Sequence, residues 1–161
     1  MDLKKKLLAI FIIILSFGLD FWSKYLIVKN ISLHKNIDFL DGFFRITLVY
    51  NRGGVFGILQ GYKNMFLIVS IVVLVIMIFY FIFEANKSYL FLCSMSFIIG
   101  GALGNILDRL IPGRPGVVDF ISIGVDNFYR WPAFNIADSS IVLGAFLLAI
   151  IFIKEEKKKK K

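Results

Sequence analysis

The sequence predicts a helical integral-membrane protein with four spans and a small strand-forming segment outside them. Three observations carry this. Of the 161 residues, 58% are hydrophobic, and the mean hydropathy is +0.80. Four apolar runs each approach the ~20 residues that cross about 30 Å of hydrocarbon. One inter-span segment gathers β-branched and aromatic residues behind a turn signal.

The four spans are read as 7–28, 65–83, 89–111 and 133–153. Lys4, Lys5 and Lys6 precede the first run, as they do in a signal peptide. No small-residue cleavage site follows Leu15, however, and apolar character resumes through Tyr25–Val28, so the run is expected to be retained. External segment 29–64 is too long for a turn. Within it Phe44–Tyr50 follows the Asp41-Gly42 pair and reads as a hairpin strand. Asn51–Gly57 then breaks the pattern with three glycines, which implies close backbone approach or positive φ. Glu84–Ser88 is a short link. The second external segment, 112–132, opens with Pro112-Gly113-Arg114-Pro115-Gly116, which stops span three, and continues into a strand at Val117–Ile121. Without repeats or a soluble appendage, residues 1–161 form one domain.

Charge sets the expected orientation. Three Lys against one Asp in residues 1–6, and six Lys against two Glu in residues 154–161, account for +6 of the formal net charge of +8. Positive flanks stay in the cytoplasm, so both termini are expected inside, consistent with an even number of spans. The charge does not read as a nucleic-acid footprint, because no basic stripe interleaves with aromatics outside the spans. One Cys and one His provide neither a disulfide nor an HExxH or Cys2His2 zinc set. His34 reads as a solvated loop residue. No metal or cofactor is expected.

On this topology the polar residues of three spans fall at one depth. Asp20 lies roughly 20 Å along span one from Leu7, with Lys24 one turn beyond. Asn105, Asp108 and Arg109 close span three, and Asn135 and Asp138 open span four. A carboxylate at the hydrocarbon boundary costs about 2.5–3.5 kcal/mol on insertion scales, so it marks a partner, an ion path or chemistry. Asp20 and Lys24 are spaced to pair on one helical face. Gly100, Gly101 and Gly104 read as helix packing. Asp108 beside Arg109 reads as a structural ion pair, and Ser139 and Ser140 as hydroxyls bonded back to their helix. A Ser–Lys mechanism is disfavoured, because Asp20 keeps the Lys24 ammonium charged. Asp119 and Asp138 remain as a pair of carboxyls sharing one proton, the apparatus of an aspartic protease.

The chain resembles the bacterial lipoprotein signal peptidases, or type II signal peptidases, over nearly its whole length and in five ordered motifs. Asp20-Phe21-Trp22-Ser23-Lys24 is similar to that family's D-x-x-S/T-K segment, and Asn51–Gly57 to its N-x-G-x-x-F/W-G. Gly100–Arg109 reads GGALGNILDR, close to the longest signature. Gly116–Phe120 and Phe134–Ser139 resemble the two blocks carrying the catalytic aspartates. The resemblance implies a four-helix membrane core, a small extracytoplasmic β-cradle and a mobile external segment over the site. It implies an aspartic endopeptidase of the bacterial cytoplasmic membrane that cuts diacylglyceryl-modified prolipoproteins before the lipidated lipobox cysteine. Asp119 and Asp138 become the dyad. Asp20, Lys24, Asn51, Gly101, Asn105, Asp108, Arg109 and Asn135 become substrate-binding or supporting residues. The expected partners are prolipoprotein substrates and membrane lipids, around a monomer. Phe21 stands where Gln is common in the family, and Gly54-Val55 where Ala-Ala is common. These departures touch substrate contacts, not the reaction.

Two rivals fare worse. Presenilin-like and prepilin-type proteases use G-x-G-D, which does not occur here. A small proton-coupled transporter also buries acids, but it has no need of Asp119 on an external strand.

Overall fold

A computed structural model describes residues 2–54, 59–84 and 88–160. Helix α1 (Leu3–Asn30) leads into strands β1 (Asn36–Phe39) and β2 (Phe44–Asn51), and helices α2 (Lys63–Phe83) and α3 (Tyr89–Leu110) follow. Strands β3 (Val117–Val125) and β4 (Tyr129–Arg130) precede helix α4 (Ile136–Lys159). All four helices are long and apolar enough to span a membrane. Residues 55–58, the first three of them in the Asn51–Gly57 motif, and 85–87, within the Glu84–Ser88 link, lie outside the described residues.

Three of the four helix starts carry a side-chain cap, α2 being the exception. Asp2 accepts the Lys5 N–H, so α1 begins four residues before the expected Leu7 and takes the lysines into its first turns. Ser88 caps α3 through the Phe91 N–H. Helix α4 begins at Ile136, not at Ala133, because Phe134 is held by backbone hydrogen bonds to Phe120 and Ile121 and Asn135 is the N-cap. At its far end α4 continues to Lys159, past the expected boundary at Ile153.

Helix α3 is the hub. Over half of its most apolar window is buried (56%) against 6% for α2, and α3 packs on all three other helices. Small residues make this possible. A Cβ on Gly100 would sit 2.8 Å from that of Ser16, and Cβ atoms on Gly101 and Gly104 would collide with the Ala137 carbonyl and the Asp20 carboxylate. The small-residue stripe is therefore packing, as its spacing suggests.

The four strands form an antiparallel sheet in the order β1-β2-β3-β4. Phe44–Tyr50 is β2, and the Asp41-Gly42 signal lies in the β1–β2 turn, with Gly42 at φ 83°. The register shifts between Ile46 and Val49, a bulge that places Asp119 opposite Val49. Ile31, Leu48, Val118 and Phe120 form a core that seats β2 and β3 on the end of α1, with Ile27 and Val28 packed against it. The short strand β4 has no signal in the sequence. Its two residues pair only with Gly124 and Val125, across a turn that holds Asn127 at φ 66°.

Candidate active site

Three helix ends and one strand converge on a single polar cluster. Lys24, on the second-last turn of α1, is 2% exposed and spends all three ammonium protons. It reaches Asp20 Oδ2 at 2.7 Å, Asp108 Oδ2 at 2.9 Å and Asn105 Oδ1 at 3.0 Å. The i,i+4 pair on α1 is thus real, and it extends into α3. The other Asp20 oxygen accepts the Ala137 N–H at 2.8 Å, tying α1 to the first turn of α4.

Asp108 and Arg109 do not pair with each other, contrary to the sequence expectation. Neighbouring helical residues point about 100° apart, so the two side chains leave α3 in different directions. Asp108 accepts from Lys24, from Arg114 Nη1 and from the Val118 N–H at 3.0 Å. Arg109 donates to the Asn105 carbonyl at 3.2 Å and the Gly53 carbonyl at 3.0 Å, holding the 51–54 turn over α3. Its charge acts on Asp138.

Asp119 and Asp138 meet around Asn135. Strand β3 delivers Asp119, which is 3% exposed. The amide of Asn135, fully buried, donates to Asp119 Oδ1 at 2.7 Å. The Asn135 side-chain oxygen accepts the Asp138 N–H at 2.8 Å, and the Asn135 N–H donates back to Asp138 Oδ2 at 3.2 Å. This is a capping box whose acidic member is the candidate catalytic residue. Asn105 Nδ2 donates to Asp138 Oδ1 at 2.7 Å, and Asn105 Oδ1 accepts from both Lys24 and Asn135.

Burial pushes the Asp119 carboxyl up to about 8, the charge of Asp138 adds to the rise, and the Asn51 and Asn135 amides oppose it. Two carboxyls close enough to feel each other titrate as a pair and share a proton near neutral pH. Such a pair can activate water with one member and polarise a carbonyl with the other.

Asn51 also shapes its own turn. Its oxygen accepts the Gly53 N–H at 3.0 Å and its amide donates to the Gly54 carbonyl at 3.1 Å. A Cβ at Gly54 would enter the Phe66 ring, so close approach rather than positive φ explains that glycine. Gly101 lies at the α3–α4 contact and brings no group to the dyad. Ser139 and Ser140 bond back to the Asn135 and Ile136 carbonyls. His34 is exposed in a turn at φ 60°.

Sequence reasoning missed Arg114, read only as part of a span-stopping segment. It is the second cation on Asp108, and its carbonyl accepts from Lys63 Nζ at 2.6 Å, which ties the start of α2 to the loop before β3. An Arg among Pro and Gly gives no periodic signal, so only the fold reveals its partner. The Arg45–Asp38–Asp126–Arg130 group that joins the two hairpins, with its aspartates exposed and its arginines partly buried, was equally invisible.

A family model described as signal peptidase (SPase) II matches residues 12–154. A lipoprotein signal peptidase of Alteromonas mediterranea is 42% identical over 149 residues, covering 90% of this chain and 80% of its own. One from Enterococcus faecalis is 37% identical over 154 residues, covering 94% and 92%. Among solved structures, a bacterial membrane enzyme superposes with a TM-score of 0.85 at 33% identity, covering 95% of this chain and 92% of its own. A second superposes at 0.74 with 32% identity.

Proposed function

The chain belongs to the signal peptidase II family of aspartic proteases, and from that premise we propose that Asp119 and Asp138 are its catalytic dyad. The family processes prolipoproteins, and this chain is a multi-pass membrane endopeptidase that removes their signal peptides. The substrate carries a diacylglyceryl group on its lipobox cysteine, and the cut falls just before that residue. The site faces the extracytoplasmic side of the bacterial cytoplasmic membrane, with both termini inside and the enzyme acting as a monomer.

One observation carries the dyad assignment: a buried amide, Asn135, hydrogen-bonds Asp119 and caps against Asp138 where three helix ends and a strand meet. The ionised carboxyl takes a proton from a water held between the two acids. The resulting nucleophile attacks the scissile carbonyl, whose oxygen the protonated carboxyl polarises. Collapse of the tetrahedral intermediate hands a proton to the leaving amine. No covalent intermediate is needed. Asp20, Lys24, Asn105, Asp108 and Asn135 hold the two acids in place. Asn51, on the 51–54 turn, and Arg109, which holds that turn from α3, meet the substrate backbone. A lipidated cysteine anchors its peptide at the outer leaflet, the depth at which these groups collect.

A gel-shift cleavage assay on a diacylglyceryl-modified precursor tests the assignment. Asp119→Asn and Asp138→Asn are each expected to insert normally and release no signal peptide. Full turnover by either purified variant refutes it.

A further inference from the structure

The two carboxyls of the cluster stand in unlike surroundings. Asp138 lies at N3 of α4, where the positive end of the helix macrodipole favours an anion. It accepts the Asn135 N–H and the Asn105 amide, and it is only partly buried. Asp119 lies on β3 beside the α4 N-cap but outside the helix's own first turn, and is almost wholly buried. Asn135 Nδ2 donates to it, and the Asn51 amide, one N–H of which goes to the Gly54 carbonyl, also acts on it.

The orientation of Asn105 underlies this asymmetry. An amide offers oxygen on one side and NH2 on the other, whereas an ammonium can only donate. Lys24, at the shorter distance, and the Asn135 amide both donate to the Asn105 oxygen, which leaves the NH2 for Asp138. Turned over, the amide would set donor against donor at Lys24 and oxygen against carboxylate at Asp138.

We propose that Lys24 is a positioning residue which, by orienting the Asn105 amide, makes Asp138 the ionised general base and leaves the shared proton on Asp119. This rests on the dyad assignment above and adds a division of labour to it. The charged groups around the pair are Asp20 and Lys24 on α1, Asp108 and Arg109 on α3, and Arg114 on the following loop. Arg114 is spent on Asp108, and the guanidinium of Arg109 bonds two carbonyls, so neither can orient Asn105 through its side-chain oxygen.

The test uses the full chain in lipid nanodiscs with a diacylglyceryl-modified precursor. The acid limb of the kcat profile reports the base that must be ionised. Lys24→Gln, which removes the stronger of the two donors that hold the Asn105 oxygen, is expected to move that limb about one unit to higher pH, a tenfold change in proton affinity. Asn105→Ala is expected to move it similarly, and the double variant by less than the sum. Partial misfolding lowers the amplitude of the profile but leaves the limb in place. An unmoved limb in Lys24→Gln, or full additivity, overturns the role of Lys24.

Infrared difference spectra on the same preparations need no activity and apply even where Lys24→Gln fails to fold. The titrating carboxylic-acid carbonyl band is expected to vanish in Asp119→Asn and to persist in Asp138→Asn. The reverse pattern overturns the assignment of the proton. Full turnover by Asp119→Asn instead removes the dyad on which the proposal rests, so the two failures are told apart.

Discussion

Two charged networks in this protein use the same chemistry in opposite environments. On the sheet, Arg45 bridges Asp38 and Asp126, and Arg130 adds a further bond to Asp126, joining the β1–β2 and β3–β4 hairpins. The side chains of Asp38 and Asp126 are about half exposed, at 47% and 56%. Among the helices, Lys24 joins Asp20 and Asp108, whose side chains are no more than 3% exposed. Water screens the first network, so its pairs contribute little. The second has no water to fall back on, so removing one partner strands a buried charge. The lesson concerns placement: the cluster that supports the dyad is the one the fold cannot lose a member of.

Substitutions separate the two networks. The largest effect is expected in catalysis, where Asp119→Asn and Asp138→Asn lower kcat by at least roughly 10³-fold, within the range that a positioned proton-transfer group supplies. Next comes stability. Lys24→Met leaves Asp20 and Asp108 facing each other and is expected to cost about 3–5 kcal/mol in denaturant or thermal unfolding. Arg45→Met is expected to cost far less, because the carboxylates it pairs with are solvated. Equal losses in the two variants would erase the distinction.

Acid and alkali sharpen it further. Asp119 is raised to about 8 in the fold, above the unfolded carboxyl value near 3.9. Its contribution is full below that unfolded value and is lost as pH rises through about 8. Asp119→Asn is therefore expected to flatten the decline of Tm between those limits. Asp38 and Asp126 have the opposite sign. The Arg45 hydrogen bond holds each below the usual carboxylate range, so their contribution is present above that range and is lost on acidification. The smallest effect is salt: raising ionic strength should close most of the gap between Arg45→Met and wild type, and almost none of the Lys24→Met gap.

Much of the site was legible because membrane solubility makes polar residues conspicuous. Asp20, Lys24, Asn105, Asp108, Asn135 and Asp138 stood out as polar groups at the ends of apolar runs, and α-helical rise placed them at one depth. The hairpin was readable from Phe44–Tyr50 and its turn. Less legible were the partners. Periodicity gives a residue its face but not the atom it meets, so Asp108 was matched with adjacent Arg109 when its partners are Lys24, Arg114 and the Val118 N–H. Arg114 and strand β4 had no signal, because both acquire meaning only from contacts made across the fold.

The sequence by itself determined the four spans, the strand-forming segment and the two acids, since hydropathy and residue type are local properties. Tertiary structure alone decided how those acids differ. It set one at the mouth of a helix and the other inside a sheet, and it placed the Asn135 amide against both. Those relations depend on β3 closing onto α4 and on Lys24 reaching across to α3, contacts between segments far apart in the chain that no local pattern encodes.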